Sequence, residues 1–233
     1  MIWKVDDIRF EFCEQLFDQN FVEDKTGCKV IEIIGAQFIA DESSIFGTVN
    51  YDYVKRELEW YNSQSLNVND IPGKVPEIWK KVATPDGRIN SNYGWCVWSE
   101  ANHKQYDKCL RELICNRDSR RAIMIYTRPS MHEDFCVDGM SDFMCTNTVQ
   151  YFVRNNMLHA HVSMRSNDVV HGYKNDFAWQ RHVQEQLLTD YNRLTESKVA
   201  LGHVIWNVGS LHVYERHFDL IRESDDFKKM SHW

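Results

Sequence analysis

Residues 142–172 read DFMCTNTVQYFVRNNMLHAHVSMRSNDVVHG, and this stretch carries most of the information about the fold. The pattern predicts two strands, Thr146–Arg154 and Met157–Arg165, joined by a two-residue Asn-Asn turn. Cys145 comes directly before the first strand, and Arg165 ends the second. A thiolate is a strong nucleophile, a fixed positive charge lowers its pKa, and a guanidinium fits a phosphate. The stretch therefore predicts a nucleophilic cysteine beside an anion site.

Composition limits the classes of protein to which the chain can belong. The 233 residues are 43% hydrophobic and 26% charged, which suits one globular domain with a substantial core. The formal net charge is −7 and no block of lysine or arginine stands out, so binding of a polynucleotide is disfavoured. Net charge does not report on pockets, so a local basic site for one phosphate remains open.

The sequence has no feature typical of a membrane, secreted or metal-binding protein. No run of about eighteen apolar residues exists, and the segment Met1–Asp7 lacks the regions of a signal peptide. The seven cysteines are irregularly spaced and include no C-x-x-C pair, which indicates free thiols in a reducing, cytosolic compartment. His159 and His161 share one strand face, but no third ligand stands at metal spacing, so no metal site is expected.

The remaining segments predict an α/β fold of the α+β type. Helices are expected at Asp52–Trp60, Lys104–Cys115, Asp176–Leu194 and Glu215–Ile221, and strands at Val30–Ala40, Ala122–Tyr126 and Leu201–Tyr214. Asp176 is expected at the N-terminal edge of its helix, where the helix dipole favours a carboxylate. The absence of a linker predicts a single domain, residues 1–233, with a largely antiparallel or mixed sheet that helices flank.

The order of motifs resembles the thymidylate synthase superfamily. In that family an active-site cysteine is followed by a strand that carries Arg-Ser-x-Asp, and here Cys145 is followed by Arg165, Ser166 and Asp168. The resemblance covers most of the chain, and its motifs are specific in combination rather than singly. It implies a thymidylate synthase-like mixed sheet flanked by helices, and a homodimer whose two active sites are shared between the subunits.

The resemblance places several cationic side chains around one phosphate monoester. Arg120 and Arg121 match an Arg-Arg pair that crosses the dimer interface to the phosphate of the neighbouring subunit, although a lone Arg-Arg is usually a solvated pair. Arg165 and Ser166 would bind the phosphate from within the subunit. Lys25 stands where the family has an arginine, and its ammonium is a point charge rather than a planar fork.

Other motif residues match positions near the pyrimidine, the sugar and the folate. Glu57 matches a catalytic glutamate that acts as a base or holds a water, and only the motif separates it from the equally acidic Glu59. The family assigns the pyrimidine border to Tyr93, the folate site to Trp79, Trp98 and Asp168, and the deoxyribose 3′-oxygen to His212 and Tyr214. Core packing of Trp95 and Trp98 and a turn role for Asp168 remain alternatives.

Asp176 separates two branches of the superfamily. Thymidylate synthases have an asparagine eleven residues after the arginine, and its amide matches N3–H and O4 of uracil. Here that position holds Asp176, as in the deoxycytidylate hydroxymethylase branch known from T-even-like bacteriophages. A carboxyl accepts from the 4-amino group of cytosine and, when protonated, shares a proton with N3. Asp176 therefore predicts dCMP over dUMP, because a mismatched base leaves buried groups unpaired, and an N-cap role does not exclude this.

One further departure from the synthases lies beside the base. Asn167 stands where synthases commonly have cysteine, and we count it with the substrate-binding residues. The C-terminal segment Asp226–Trp233 also lacks the apolar tail that closes over a synthase site. Fewer closing contacts would suit an enzyme that admits water, and a truncation would explain the difference equally well.

The resemblance implies a reaction of dCMP, 5,10-methylenetetrahydrofolate and water that yields 5-hydroxymethyl-dCMP and tetrahydrofolate. Cys145 would add to C6 of the pyrimidine, and C5 would then take up the one-carbon unit of the folate. A synthase reduces the resulting exocyclic methylene by hydride transfer, whereas a hydroxymethylase adds a water, which Glu57 would position. The product would supply modified nucleotide for phage DNA synthesis in the cytoplasm of the host cell.

Three other interpretations remain open at this point. The chain could be a synthase that methylates dUMP or dCMP, or a hydroxymethylase of the ribonucleotide CMP. It could also be a non-catalytic paralogue that binds nucleotide or RNA. The acidic balance and the complete set of Cys145, Glu57 and Asp176 argue against this third interpretation.

Overall fold

The computed structural model of the chain describes residues 2–230. Met1 and residues 231–233, which end the C-terminal segment considered above, lie outside the described residues. The strands are β1 (Trp3–Lys4), β2 (Val22–Glu23), β3 (Lys29–Ile39), β4 (Ile123–Ile125), β5 (Thr146–Arg154), β6 (Met157–Asp168) and β7 (Ala200–Tyr214). The helices are α1 (Val5–Phe17), α2 (Tyr51–Ser63), α3 (Glu77–Val82), α4 (Tyr93–Trp98), α5 (Gln105–Cys115), α6 (Met131–Asp134), α7 (Gly172–Thr195), α8 (Phe218–Arg222) and α9 (Asp225–Met230). Between residues 2 and 230, no helix combines the length and the apolar character that crossing a bilayer requires.

Seven strands of the described chain form one mixed sheet. Its order is β1-β3-β7-β6-β5-β4, and β2 also pairs with β3. The pairs β6–β7 and β1–β3 are parallel, and the other pairs are antiparallel. The β5–β6 hairpin turns at Asn155 and Asn156, whose φ angles of 50° and 58° suit a two-residue turn of type I′. The predicted hairpin and the mixed sheet are confirmed.

Helices cover one face of this sheet. Helix α7 packs on β6 and β7, α1 packs on β3, and α5 packs on α7 and β5. Every second residue of β5 is buried against them, namely Val149, Tyr151 and Val153. On α7, the fully buried Gln184 donates from Nε2 to the Leu158 carbonyl oxygen at 2.8 Å. This bond satisfies a buried amide and ties the helix to the sheet.

The other face of the sheet carries exposed apolar side chains. Ile123 and Ile125 of β4 stand beside Gln150 and Thr148 of β5 and are 37% and 50% exposed. Ile34 in β3 is 73% exposed. Exposed apolar side chains on an extended sheet are typical of a surface that another chain covers.

Hydrogen bonds fix the loop that precedes β5. The buried carboxylate of Asp142 accepts from the backbone N–H groups of Asn90 (2.7 Å) and Ser91 (2.8 Å) and from the Ser91 hydroxyl (2.7 Å). The next residue in that segment, Asn92, donates from Nδ2 to the Trp60 carbonyl oxygen of α2 at 3.0 Å. The loop before β5 is therefore connected through residues 90–92 to α2.

The longest helix differs from its prediction at the N-terminus. Helix α7 begins at Gly172 with His171 at the N-cap, so Asp176 lies in the second turn and not at the helix edge. The helix starts earlier because the Asp168 carboxylate accepts from the N–H groups of Val170 (2.7 Å) and His171 (3.1 Å) just before it. The N-cap interpretation of Asp176 is therefore wrong, and the turn role considered for Asp168 is confirmed.

We expect Gly94→Ala to destabilise the protein. A Cβ at position 94 would lie 1.8 Å from the Tyr61 carbonyl oxygen, so α4 would have to move away from α2. Overpacking of this kind costs about 1–3 kcal/mol or more, and we expect the free energy of unfolding in urea to fall by at least about 2 kcal/mol. Lys55→Ala on the exposed side of α2 is the control and should change it by less than about 0.5 kcal/mol. Equal stability of the two variants would contradict the close approach of α4 to α2.

Candidate active site

The β5–β6 hairpin brings Cys145 and Arg165 side by side. Cys145 directly precedes β5, and its carbonyl oxygen accepts from the backbone N–H of Arg165 at 2.9 Å. The guanidinium of Arg165 donates to the carbonyl oxygens of Met144 (from Nε, 2.9 Å) and Phe143 (from Nη2, 2.5 Å). Its Nη2 also lies 3.6 Å from Cys145 Sγ. The structure therefore places the candidate nucleophile within contact distance of the candidate phosphate ligand.

Burial outweighs the positive charge beside the thiol. Removal from water raises the pKa of Cys145 to about 11, although Arg165 lowers it, and the charges of Asp176 and Asp142 raise it further. Arg165 thus lowers the pKa of the thiol as expected, and the effect of burial is larger. Because the Asp176 charge opposes ionisation of Cys145, a neutral Asp176 makes the thiolate easier to form.

Asp176 extends from the second turn of α7 towards β6. Its Oδ2 accepts from Asn167 Nδ2 at 2.7 Å, and Asn167 Oδ1 in turn accepts from the indole Nε1 of Trp206 at 3.3 Å. Burial raises the pKa of Asp176 to about 8 and the charge of Glu57 adds to the rise, whereas contacts with Tyr93 and Asn167 lower it. Asp176 is therefore mainly a neutral carboxylic acid at pH 7.

Glu57 projects from α2 into a cluster of hydrogen-bond donors. The Tyr53 hydroxyl donates to its Oε1 at 2.5 Å, and the indole Nε1 of Trp79 lies 3.3 Å from the same oxygen and 3.0 Å from the Tyr53 hydroxyl. Glu57 is only 5% exposed, whereas Glu59 is exposed, so the fold separates two acids that periodicity could not. Burial raises the pKa of Glu57 to about 7, and the bonds from Tyr53 and Trp79 oppose that rise.

Two stacked tyrosine rings lie near these acidic groups. Tyr93 begins α4 and stacks on Tyr61 of α2 with ring centroids 5.2 Å apart. Burial raises the pKa of Tyr93 well above its usual value, and the neighbouring Asp176 and Cys145 contribute to the rise. Burial and the charges of Glu57 and Tyr93 do the same for the pKa of Tyr61. The structure thus brings Cys145, Asp176, Glu57 and Tyr93 into one site.

The residues predicted near the sugar lie at the adjoining end of the sheet. His212 and Tyr214 lie on one face of β7, with ring centroids 5.1 Å apart, as alternation predicts. His212 pairs with Asp168 of β6, and Ser166 pairs with Ser210. The parallel β6–β7 pair therefore sets His212, Asp168 and Ser166 close together near Arg165.

Besides Arg165, three candidate phosphate ligands are exposed, and two of them lie far from Cys145. The register places Arg121 opposite Phe152, seven residues along β5 from Cys145, which corresponds to a distance on the order of 20 Å. Arg120 precedes it, and Arg121 donates to Glu112 Oε1 at 3.0 Å. Within one chain the structure does not bring this pair to the site. The third, Lys25, is exposed in the turn before β3.

The two tryptophans predicted at a folate site have different surroundings. Trp79 is half-buried and its indole contacts Glu57 directly. Trp98 packs against Tyr106 and Trp179, with ring centroids 6.2 and 5.3 Å away. The core packing considered for Trp98 is therefore observed, and its contact with a folate stays a prediction.

Sequence reasoning missed two residues that contact the candidate site residues. Tyr53 lies four residues before Glu57 on α2, and that helical spacing could have indicated a contact. Trp206 is fully buried in the middle of β7, and its bond to Asn167 joins positions 39 residues apart. No local pattern in the sequence marks that second contact.

The chain is similar in sequence to known proteins. A family model described as thymidylate synthase matches residues 11–228. Deoxycytidylate 5-hydroxymethyltransferase of Enterobacteria phage T4 is 59% identical over 218 residues, which are 93% of this chain and 89% of that protein. Thymidylate synthase 1 of Bacillus subtilis (strain 168) is 28% identical over 225 residues, 90% of this chain and 76% of that protein.

A solved structure supports the fold independently. Thermostable thymidylate synthase A from Bacillus subtilis superimposes with a TM-score of 0.70 at 23% identity, covering 97% of this chain and 84% of that chain. The predicted thymidylate synthase-like architecture, a mixed sheet flanked by helices, is therefore confirmed. With a family match over nearly its whole length and a viral relative at 59% identity, the chain belongs to the thymidylate synthase family.

Proposed function

We propose that the chain is a deoxycytidylate 5-hydroxymethyltransferase, which converts dCMP, 5,10-methylenetetrahydrofolate and water to 5-hydroxymethyl-dCMP and tetrahydrofolate. The observation that carries this proposal is the Asp176 carboxyl, which Asn167 holds close to Cys145 and whose pKa of about 8 keeps it protonated at neutral pH. The relative of that name at 59% identity supports it. Residues 1–233 then form one catalytic domain.

Recognition of cytosine follows from the neutral state of Asp176. A protonated carboxyl donates from one oxygen to N3 and accepts the 4-amino group on the other, so an uncharged base meets an uncharged partner. With the acidic proton on the oxygen that faces N3, uracil would bring N3–H against that O–H and O4 against the other oxygen, so donor would meet donor and acceptor would meet acceptor. In this proposal Tyr93 borders the base, and His212 and Tyr214 bind the deoxyribose 3′-oxygen.

Cys145 adds to C6 of the bound dCMP. Arg165, 3.6 Å from Sγ, stabilises the thiolate, and the protonated Asp176 removes a repulsive charge beside it. The hydrogen bond from Asp176 to N3 withdraws electrons from the ring, which makes C6 a better electrophile. Release of Cys145 from C6 at the end of the cycle restores the aromatic pyrimidine.

Glu57 and Tyr53 position the water that adds to the exocyclic methylene at C5. Glu57 has a pKa of about 7, so the ionised and the protonated forms are both populated at neutral pH and either can exchange a proton with that water. The Tyr53 hydroxyl, 2.5 Å from Oε1, fixes the orientation of the carboxylate. Water addition in place of hydride transfer leaves tetrahydrofolate as the second product.

The indole of Trp79 beside Glu57 and the carboxylate of Asp168 at the end of β6 fit a folate. 5,10-Methylenetetrahydrofolate supplies the one-carbon unit when it is bound. Trp79 offers a half-buried indole face beside Glu57, and Asp168 keeps one carboxylate oxygen beyond the Oδ1 that caps the turn before α7. Trp79, Trp98 and Asp168 are our candidates to hold the pterin and its linker.

A homodimer completes the phosphate site in this proposal. Arg165, Ser166 and Lys25 bind the phosphate from one subunit, and Arg120 and Arg121 reach it from the partner. The exposed apolar face of the sheet is the surface that would form the dimer. The enzyme would act in the cytoplasm of a phage-infected host and supply modified nucleotide for phage DNA.

Product analysis tests the reaction. We expect incubation with dCMP, 5,10-methylenetetrahydrofolate and ¹⁸O-labelled water to give hydroxymethyl-dCMP that carries ¹⁸O, with no rise in dihydrofolate absorbance. Cys145→Ala should form no product, because no group then adds to C6. Methylated nucleotide together with dihydrofolate would identify a synthase instead, and faster turnover of CMP would move the substrate to ribonucleotides.

We expect Asp176→Asn to exchange the preferred base. The amide cannot donate to N3 and accept the 4-amino group without flipping, so kcat/KM for dCMP should fall by about 100-fold while the preference for dUMP increases. Asp190→Asn is the matched control, because Asp190 lies near the other end of α7 and bonds to Tyr106 at 2.7 Å. An unchanged ratio of kcat/KM for dCMP to that for dUMP would rule out Asp176 as the base-reading residue.

Subunit mixing tests the shared site. Mixed dimers of Cys145→Ala and Arg120→Ala/Arg121→Ala contain one complete site in half of the molecules, so we expect about a quarter of wild-type activity from two inactive parents. Cys145→Ala mixed with Arg165→Ala is the control and should stay inactive, because both residues belong to the same subunit's site. No recovery in the first mixture would contradict the crossing arginines.

A further inference from the structure

A buried chain of hydrogen bonds leads from β7 to the candidate base-reading residue. The indole Nε1 of Trp206 donates to Asn167 Oδ1 at 3.3 Å, and Asn167 Nδ2 donates to Asp176 Oδ2 at 2.7 Å. Trp206 is 0% exposed and Asn167 is 3% exposed, so water does not compete for the bond between them. This chain of hydrogen bonds runs from β7 through Asn167 of β6 to the Asp176 carboxyl on α7.

The first link determines the direction of the second. An indole N–H donates and has no acceptor, so it must face the carbonyl oxygen of an amide. With Oδ1 of Asn167 held against Trp206, the amide NH₂ must face Asp176. Trp206 therefore fixes the donor-to-acceptor direction of these hydrogen bonds, and this direction does not depend on the protonation state of the carboxyl.

We propose that Trp206 is a specificity-determining residue that acts through Asn167: it keeps Asp176 Oδ2 as an acceptor and so leaves the acidic proton to Oδ1, in the pattern that matches cytosine. Oδ1–H then donates to N3 of the base, and Oδ2, which accepts from Asn167, also accepts from the 4-amino group. This proposal rests on the proposed function for its biological meaning. What it predicts is only which pyrimidine nucleotide the site prefers to bind.

Loss of the indole donor would allow the opposite pattern. If Asn167 turned its oxygen towards Asp176, the acidic proton would move to Oδ2 to meet it. Oδ1 would then be only an acceptor, which repels N3 of cytosine and accepts N3–H of uracil. The chain of hydrogen bonds from Trp206 through Asn167 to Asp176 therefore predicts that loss of the indole changes the base preference and does not only lower stability.

The test is the binding of nucleotides to Trp206→Phe, measured by calorimetry with dCMP and dUMP and no folate. We expect the ratio of the dUMP and dCMP dissociation constants to fall by about tenfold, the effect of roughly one hydrogen bond. In an Asp176→Ala background the same substitution should leave the ratio unchanged within about twofold, because the group on which Trp206 acts is gone.

Trp179→Phe is the matched control. Trp179 is also a fully buried tryptophan whose indole donates to a side chain, the Tyr126 hydroxyl at 3.2 Å, and it has no bond to Asn167. A structural role of Trp206 would weaken the binding of both nucleotides by the same factor, as we expect for this control. Such equal weakening by Trp206→Phe would overturn the proposal.

A second variant covers a failure of Trp206→Phe to fold. Asn167→Ala keeps the indole and removes the donor to Asp176, so it should lower the same ratio by about tenfold. An unchanged ratio of the dUMP and dCMP dissociation constants in Asn167→Ala would also overturn the proposal. Because the readout is nucleotide binding, it stays decisive even if the wild-type protein turned out not to hydroxymethylate dCMP.

Discussion

The rest of the site depends on two carboxyl groups that share one buried environment. Glu57 and Asp176 are removed from water and the charge of Glu57 raises the pKa of Asp176, so the site holds one negative charge far more easily than two. Tyr53 and Trp79 donate to Glu57, and Asn167 donates to Asp176. Tyr93 also contacts Asp176, so burial and the charge of Glu57, not a lack of donors, keep Asp176 neutral. One acid then exchanges protons with water, and the other meets the base as a neutral partner.

The two acids with raised pKa values lower the free energy of unfolding, and contacts elsewhere in the fold offset this loss. Both folded-state pKa values lie above those of an unfolded chain, so the folded state binds more protons and loses stability as the pH rises through about 7 and 8. Below about pH 4 both states are protonated and the contribution no longer changes with pH. The bonds of Asp142 and the close approach of Gly94 to Tyr61 hold the site's segments together despite this cost.

Local sequence predicted the parts of the fold that local geometry determines. The hairpin followed from alternation and an Asn-Asn turn, and it alone placed Cys145 beside Arg165. The start of α7 was missed because the side chain of Asp168 caps the turn before it. The larger effect of burial on the pKa of the Cys145 thiol could not be predicted, because burial is a property of the assembled core. For the same reason, only the fold could distinguish Glu57 from its exposed neighbour and reveal Trp206 behind Asn167.

The most direct measurement is the titration of the Asp176 carboxyl carbon by ¹³C NMR, with the resonance assigned from its loss in Asp176→Asn. The account requires this acid to be neutral at physiological pH, so its midpoint should lie near 8. A midpoint near 4, the value of a solvated aspartate, would mean that the site holds a carboxylate. Cytosine would then have to be recognised without the shared proton, and the central claim would fail.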